Sequence, residues 1–403
     1  MSSETSTDQT ESTEIELIAD TEGRNNGRKR PEQPLFSESP ELDRSNGARA
    51  RRRVRHEMKQ LRNAVLGPMK WAAYQTGQTR YVPPPDRMYI ESTNLCNLGC
   101  VMCPTGLKQI TRPGGYMDFD LFTAIVDEMA PYVKATTLHI WGEPLMHKRI
   151  FDMIAYTRKK GLRSEISTNA TLLDERRARG LLDAGLSGIY LCLDGFRPET
   201  YEAIRVKADY QRTNENILRF LDLKAEGGYE NPYVNLQIIQ MEQTMPEIEE
   251  FIEAWSLPGI DNINVKPFDS WGGQVEAIND LRADDPAHFM PDARYACPNL
   301  WYHVHIYWDG RIAMCDRDFN LNYDLGSVIS PDGEVEVMKN WNGPKMQGLR
   351  QIHVDGEANS VSPCDSCVEW AWWRPRLFGG YGNYNAVVME EQQQRDSGIG
   401  SSQ

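Results

Sequence analysis

The 403-residue sequence lacks any apolar run long enough to cross a bilayer, and its N-terminal residues include no apolar stretch of the kind found in signal peptides. These absences predict a cytoplasmic protein with no transmembrane segment. A surplus of positive charge is also missing: the formal net charge is −14, so nucleic acid is not an expected partner. Eight cysteines in such a chain favour metal binding over disulfides, because the cytosol keeps thiols reduced.

The two ends of the chain contain little that could form a core. Residues 1–47 are rich in Ser, Thr, Glu and Asn, with Phe36 as their only aromatic residue. We therefore predict a disordered tail there and another over residues 386–403. Residues 48–84 are expected to form a basic amphipathic helix and a linker. Two interpretations of this helix stay open: its apolar stripe packs on the following domain, or it contacts a membrane surface or an anionic partner.

Residues 85–270 alternate six times between predicted strands and helices. The strands are expected at 88–92, 136–141, 164–167, 188–193, 233–241 and 262–267, with helices near 118–130, 148–160, 173–184, 197–226 and 246–256. This order predicts the α/β class and a partial (β/α)6 TIM-like barrel that is open on one side. Chemistry in such barrels lies at the C-terminal ends of the strands. Residues 271–296 are expected to be a linker or lid, and residues 297–385 a small α+β extension.

Three cysteines follow the first predicted strand. Cys96, Cys100 and Cys103 have the spacing C-x3-C-x2-C. Three thiolates on one tight loop can hold three irons of a cubane 4Fe-4S cluster and leave the fourth iron open to a substrate or cofactor. A zinc site is the alternative, but zinc requires four ligands, and the nearest histidine downstream of Cys103 is His139.

This loop resembles the cluster loop of the radical S-adenosylmethionine (SAM) enzymes. The resemblance implies that SAM chelates the open iron through its amino and carboxylate groups. It also implies that an electron from the cluster cleaves SAM to methionine and a 5′-deoxyadenosyl radical, which removes hydrogen from a substrate.

The resemblance extends to the ends of the next three predicted strands. Gly142-Glu143-Pro144 stands where the family usually has Gly-Gly-Glu, with Trp141 in place of the first Gly, and is expected to bind the SAM amino group. Ser167 and Asn169 belong to a segment similar to the family's Ser/Thr-Asn-Gly turn near the ribose; a cap on the next helix is the alternative. Arg205 follows a Leu-Asp-Gly segment, as in many relatives. It is expected to pair with the SAM carboxylate, or alternatively to form a surface salt bridge.

Four later cysteines resemble the SPASM/twitch extension of the radical SAM enzymes in their order and in their final C-x2-C pair. They are Cys297, Cys315, Cys364 and Cys367. Because four cysteines can ligate one 4Fe-4S cluster fully, the resemblance implies a second, auxiliary cluster. A structural zinc is the alternative.

Asp316 directly follows one of these cysteines. It matches an Asp that is proposed to take a proton from substrate in some sulfatase-maturing relatives. It could act as a general base if burial raised its pKa; a turn or capping role is the alternative, and Asp318 is a rival candidate. Trp370, Trp372 and Trp373 are expected to pack over the cluster rather than to line a substrate cavity.

The favoured function is a radical SAM enzyme that oxidises or rearranges a small molecule of the sugar or aminocyclitol type. A peptide- or protein-modifying enzyme is the second hypothesis, and a non-catalytic zinc-binding interaction protein is a third. The expected partners are a small-molecule or peptide substrate and an electron donor such as flavodoxin or ferredoxin.

Overall fold

The computed structural model describes residues 65–283 and 290–372, together with the backbone of 374–375 and 381–382. Most of its strands belong to one sheet. They are β1 (Arg87–Ile90), β2 (Ala135–Thr137), β3 (Arg163–Thr168), β4 (Gly188–Cys192), β5 (Tyr233–Ile239), β6 (Asn262–Lys266), β7 (His303–Ile306) and β8 (Ile312–Ala313). Their order across the sheet is β6-β5-β4-β3-β2-β1-β7-β8. A separate antiparallel pair joins β9 (Arg374–Pro375) and β10 (Tyr381–Gly382).

Helices separate the strands along the chain. The first, α1, covers residues 65–75 of the described chain. The others are α2 (Phe119–Met129), α3 (Ile150–Lys159), α4 (Glu175–Ala184), α5 (Pro198–Ile204), α6 (Tyr210–Glu226), α7 (Ile248–Ala254), α8 (Asn299–Tyr302), α9 (Val337–Trp341) and α10 (Pro344–Val354). Short 3-10 turns occur at Pro144–Met146, Met245–Glu247, Glu276–Leu281, Ala358–Ser360 and Glu369–Trp372.

The pattern of apolar residues explains this layering. Helix α2 buries Phe122, Ile125, Val126 and Met129, whose spacing places them on one face of a helix. The Asp118 side chain begins this helix by accepting two N–H groups of its first turn. Strands β1 to β6 follow one another in the sheet and are all parallel. The predicted α/β class and the open six-strand barrel are therefore confirmed.

The residues 197–226, which were predicted to form helical segments, contain two helices, α5 and α6. Between them Lys207 adopts a left-handed conformation with φ 77°, which an α-helix cannot contain. The side chain of Asp209 then starts the second helix by accepting the N–H of Arg212 at 2.8 Å. The predicted strands agree with the observed ones to within a few residues.

Strand β7 adds the C-terminal part of the chain to the same sheet. It pairs in parallel with β1, from Arg87 opposite His303 to Ile90 opposite Ile306. Strand β8 continues the sheet in antiparallel fashion. Strand β1, which precedes the three-cysteine loop, is therefore flanked by β2 on one side and by β7 on the other.

Several predictions concern residues that the structure does not describe. The tails 1–47 and 386–403 and the basic part of the predicted N-terminal helix lie outside the described residues.

Helix α1 contacts the barrel: Lys70 is buried and pairs with Asp86 at 2.8 Å, and the Tyr74 hydroxyl donates to the Ala296 carbonyl at 2.7 Å. Among the described helices, none is long and apolar enough to cross a membrane.

A buried ion pair ties the start of the cysteine loop to its end. Glu91 directly follows β1, and both of its carboxylate oxygens accept from Arg112, at 3.1 and 2.8 Å. The Arg112 side chain also donates to the Phe319 carbonyl at 2.6 Å and lies over the Tyr307 ring. Burial raises the pKa of Glu91, and Arg112 opposes that shift. The pair therefore holds the loop to the C-terminal segments.

Replacing Arg112 with Met should lower the free energy of unfolding by about 3 kcal/mol or more, because Glu91 would remain as an uncompensated buried charge. Denaturant unfolding measures the change. The double variant Glu91→Gln/Arg112→Met should recover part of the loss. The control is Arg179→Met, which breaks an exposed pair with Glu175 and should cost about 0.5 kcal/mol or less; equal losses in the two single variants would contradict the importance of the buried pair.

Candidate functional site

The loop after β1 carries Cys96, Cys100 and Cys103 and folds tightly on itself. The N–H of Cys103 donates to the carbonyl of Cys100 at 3.2 Å. Gly106 packs on the same residue: a Cβ there would lie 2.4 Å from the Cys100 oxygen and 2.5 Å from its nitrogen. Only glycine fits this position, so the compact shape of the loop depends on it.

The three thiols are close enough for their charges to interact. Burial raises the pKa of the Cys96 thiol to about 11 and that of Cys100 to about 12, and Cys103 contributes to both shifts. Thiolates in this environment need a cation beside them. Iron would supply that charge, so the loop could hold a metal cluster.

Gly142, at the end of the segment that follows β2, packs directly on this loop. Its φ is 76°, and a Cβ would lie 2.6 Å from the carbonyl oxygens of both Thr93 and Leu95. The next residue, Glu143, donates its N–H to the Leu95 carbonyl at 2.8 Å. The β2 end and the cysteine loop are thus in contact through their backbones, which explains the glycine.

The Glu143 carboxylate is buried and already accepts three hydrogen bonds from the protein. Its donors are the Leu145 N–H at 3.0 Å, the Thr168 hydroxyl at 2.7 Å and the Asn169 N–H at 2.8 Å. Burial raises its pKa, against the effect of these donors. The carboxylate therefore joins the ends of β2 and β3, and Pro144 starts the short 3-10 turn beside it. The expected contact of this segment with the SAM amino group stays a prediction.

Asn169 follows β3 and reaches the cysteine loop. Its side-chain nitrogen donates to Asn97 Oδ1 at 3.1 Å and lies 3.9 Å from the Cys96 sulfur. Ala170 has φ 57°, the left-handed conformation that the glycine of similar turns adopts at lower cost. The Ser167 hydroxyl lies elsewhere, 3.0 Å from the Cys192 sulfur. The structure thus brings Asn169, but not Ser167, to the three cysteines.

Arg205 lies beside Cys100 and is paired with a carboxylate of the protein. Its Nη1 is 3.8 Å from the Cys100 sulfur, its Nε donates to Asp194 Oδ2 at 2.9 Å, and its Nη2 contacts the same oxygen. Asp194 is fully buried and also accepts the N–H of Ile239 at 2.9 Å. The expected pairing of Arg205 with the SAM carboxylate stays a prediction, because its charge is already matched by Asp194.

The four later cysteines converge from three segments of the chain. Burial raises the pKa of each thiol, and Cys315, Cys364 and Cys367 each interact electrostatically with Cys297. Trp370 and Trp372 are buried and pack with Cys297 and Cys367; Trp373 lies outside the described residues. The four thiols form a second group that could hold a cluster.

Comparisons with known proteins agree with this geometry. The sequence model of the radical SAM superfamily matches residues 90–254, which include the three-cysteine loop and the ends of β2, β3 and β4. The SPASM model, described as an iron-sulfur cluster-binding domain, matches residues 297–368, which include all four later cysteines. The chain belongs to the radical SAM superfamily.

Two curated relatives illustrate the range of this superfamily. A tungsten-containing aldehyde ferredoxin oxidoreductase cofactor-modifying protein of Pyrococcus furiosus is 26% identical over 259 residues, or 62% of this chain and 69% of its own. The Fe-coproporphyrin III synthase of Methanosarcina barkeri is 38% identical over 113 residues, 28% of each chain. The chain thus spans just over a quarter of the second relative.

A solved structure supports the fold. The crystal structure of Streptococcus suis SuiB bound to the precursor peptide SuiA aligns with a TM-score of 0.55 and 14% sequence identity, covering 75% of this chain and 73% of that one. At this identity the match concerns the fold.

Radical SAM enzymes with a SPASM domain bind 4Fe-4S clusters and SAM, and so does this protein. The residues present fit these groups: buried thiols need a cation, and both sets of cysteines converge. Within the described chain, no three His, Cys, Asp or Glu side chains meet at one point as ligands of a single metal ion would. Three thiols on one loop match a cluster with an open iron, whereas zinc requires four ligands.

Arg317 joins the second cysteine group to the end of β6, a role that the sequence did not indicate. It is buried and bonds Asp269 Oδ2 at 2.6 Å and Asp316 Oδ1 at 3.0 Å, with Glu369 at 3.7 Å. Glu369 in turn accepts from the N–H and hydroxyl of Ser270, at 2.8 and 2.6 Å. Arg317 and Glu369 each lie two residues after a cysteine of the second group. A charged side chain that close to a predicted cluster ligand is the sequence signal that could have identified both residues.

Asp316 does not meet the condition set for a general base. Burial alone would raise its pKa, but Arg317, His305 and Lys266 hold the pKa below its ordinary value. A carboxylate with a lowered pKa is a weaker base, so the catalytic role of Asp316 stays a prediction without this support. Burial does raise the pKa of Asp318 to about 6, but its oxygens accept the N–H groups of Asn322 and Tyr323 and so order a turn.

The inner face of the radical SAM barrel is polar. Tyr89, Tyr190 and Gln237 alternate along their strands with buried apolar residues and are partly exposed. His139 and Ser167 lie on the same face, where the Ser167 N–H donates to His139 Nδ1 at 2.9 Å. Interiors of TIM barrels are usually filled by branched apolar side chains. This lining therefore leaves hydrogen-bonding groups for a polar ligand.

Gly142→Ala should prevent the cysteine loop from closing, because the new Cβ would overlap two backbone oxygens that cannot move independently. We expect the variant to hold about four fewer irons per chain after anaerobic reconstitution, as measured by iron and acid-labile sulfide analysis.

Gly161→Ala is the matched control. Gly161 has the same φ of 76°, but no atom lies within 4 Å of the place that a Cβ would occupy. The substitution should therefore cost about 1 kcal/mol of backbone strain and leave the iron content unchanged. Equal iron content in the two variants would show that the contact at Gly142 is dispensable.

His139 should make stability depend on pH. Burial lowers its pKa to about 3, below the value of about 6.5 in an unfolded chain. Its contribution is therefore complete above pH 6.5 and is lost as the pH falls from 6.5 toward 3. Compared with His139→Gln, which keeps an acceptor for the Ser167 N–H, the wild-type protein should lose more free energy of unfolding between pH 7 and pH 5 in denaturant titrations. An equal change in the free energy of unfolding of the two proteins between pH 7 and pH 5 would contradict a lowered pKa of His139.

Proposed function

We propose that this radical SAM enzyme abstracts hydrogen from a small polar molecule, of the sugar or aminocyclitol type, and so oxidises or rearranges it. The observation that carries the proposal is the polar inner face of the barrel, on strands whose C-terminal ends carry the three-cysteine loop. Partly exposed hydroxyl, amide and imidazole groups at that place suit a ligand with several hydrogen-bonding groups.

The residues have separate roles in this proposal. Cys96, Cys100 and Cys103 would hold the SAM-binding cluster, and Gly142, Glu143, Pro144, Ser167, Asn169 and Arg205 would surround SAM. Cys297, Cys315, Cys364 and Cys367 would hold the auxiliary cluster. When bound, the clusters would supply one-electron chemistry: one would give the electron that cleaves SAM to methionine and a 5′-deoxyadenosyl radical, and the other would accept the electron that a substrate radical loses on oxidation.

The protein's own side chains orient and shield these groups. Arg205 places a positive charge beside Cys100, and Asn169 points its side-chain amide at Cys96. Trp271 covers the loop by donating its indole N–H to the Met102 carbonyl at 2.7 Å. We further infer a cytoplasmic enzyme supplied with electrons by flavodoxin or ferredoxin, because iron-sulfur clusters and free thiols suit a reducing compartment.

Modification of a peptide is the second candidate. Its support is that SuiB, which shares this fold, is described as bound to its precursor peptide. The two candidates differ in what should stimulate SAM cleavage: a small polyol in the first case and a peptide in the second.

Cys103→Ala should abolish the formation of 5′-deoxyadenosine from SAM under dithionite, because a cubane would lose one of its three ligands on the loop. Cys315→Ala should instead lower the iron content by about half, from about eight irons per chain. Chromatography of the nucleoside products and iron analysis measure these effects.

Cys192→Ala is the control, because Cys192 is a buried thiol outside both groups and should keep the iron content of the wild type. A wild-type protein that binds zinc alone, with no iron or acid-labile sulfide, would remove the enzymatic proposal and favour a zinc-binding interaction protein.

A further inference from the structure

We propose that the substrate carries an anionic group, a carboxylate or a phosphate, and that Lys266 binds it. The inference rests on the proposed function, since it assigns a chemical class to the ligand of the same polar barrel interior. Two observations carry it: an ammonium group without a carboxylate partner, and a buried imidazole nitrogen without any partner.

Lys266 ends β6 on the inner face of the sheet. Asn262 and Asn264, which precede it at intervals of two residues, share that face because side chains alternate along a strand. Their side chains bond those of Asn235 and Gln237 on β5, at 3.1 and 3.3 Å. The Lys266 ammonium lies 5.5 Å from the centre of the Trp271 ring. Lys266 is partly buried, so its charge is only partly hydrated.

The carboxylates near Lys266 are bonded to another cation. Lys266 lies within electrostatic range of both Asp269 and Asp316. Both, however, bond Arg317, at 2.6 and 3.0 Å. The third carboxylate of this group, Glu369, is directed at Ser270 and Cys367. Among the ion pairs of the described residues, Lys266 takes part in none, and a partly buried ammonium gains from an anionic partner.

His305 provides the second observation. It is 1% exposed, and its Nδ1 has no hydrogen-bond partner. The ring stacks on Tyr89 at 4.7 Å between centroids, which fixes its orientation on the inner face. Like Lys266, it lies within electrostatic range of Asp316. Buried polar atoms are rarely left unpaired, so this nitrogen points to a ligand on the inner face of the barrel.

The geometry assigns this anion to the substrate rather than to SAM. Arg205 is the cation beside the SAM-binding loop, because its Nη1 lies 3.8 Å from the Cys100 sulfur. Lys266 lies within electrostatic range of His139, Asp269 and Asp316, and it also acts on Cys192, where the influence of Arg205 is the larger. Its charge is therefore directed at the barrel interior and toward the second group of cysteines.

The first test measures the accessibility of the lysine without turnover. The anaerobically reconstituted holoprotein is acetylated at low reagent concentration, and the modified peptides are quantified by mass spectrometry. Inorganic phosphate should reduce labelling of Lys266 about threefold or more relative to sodium chloride at equal ionic strength. Lys339, whose side chain is 73% exposed, is the control and should label equally in both salts. Equal labelling of Lys266 in the two salts, or protection by SAM alone, would overturn the proposal.

The second test identifies the class of substrate. Sugar phosphates and sugar acids are compared with neutral sugars and aminocyclitols for their ability to stimulate 5′-deoxyadenosine formation. We expect stimulation by the anionic compounds, with an apparent KM that rises about 10- to 100-fold in Lys266→Gln and much less in Lys266→Arg. Iron content and the visible spectrum verify that each variant holds its clusters.

The two tests separate two kinds of failure. If SAM is never cleaved while phosphate still protects Lys266, the proposed function is wrong but the anion site remains. If a neutral compound or an amine is the substrate and Lys266→Gln leaves its KM unchanged, the anion site is wrong and the radical SAM function remains.

Discussion

The contact between Gly142 and the backbone of the cysteine loop is the constraint on which the rest of the site depends. The absence of a side chain lets the β2 end approach two carbonyl groups of the loop. Glu143 then uses its N–H to bond the loop and its carboxylate to bond the end of β3. Gly142 and Glu143 therefore fix the ends of β1, β2 and β3 relative to one another.

Buried arginine–carboxylate pairs stabilise the same edge of the sheet. Glu91 follows β1, Asp194 follows β4 and Asp269 follows β6; their partners are Arg112, Arg205 and Arg317. Each arginine belongs to a loop or helix end near a cysteine. Such pairs add little net stability compared with apolar packing, but removal of one partner is costly because a charge is left buried. Their main effect is to fix each cysteine-bearing loop in one position.

The sequence was sufficient to predict the parts of the fold that depend on local pattern. Alternation of apolar residues gave the six parallel strands, and the cysteine spacing gave both thiol groups. Helical segments were predicted over residues 197–226, but the position of the break between α5 and α6 was not, because a left-handed Lys207 leaves no signal in apolar periodicity. The pairing of β7 with β1 and the bond of Arg205 to Asp194 were also not predictable. Each depends on contacts between residues far apart in sequence.

The position of β7 beside β1 has a consequence for biogenesis. On the ribosome, the strand that precedes the first cysteine loop emerges early, but its second neighbour is made only after most of the chain has been translated. Phe319, which accepts from Arg112 beneath that loop, is made later still. The packing around the first cysteine loop is therefore incomplete until residues 303–319 have been made, and the mature geometry that would receive iron and sulfide cannot form before then.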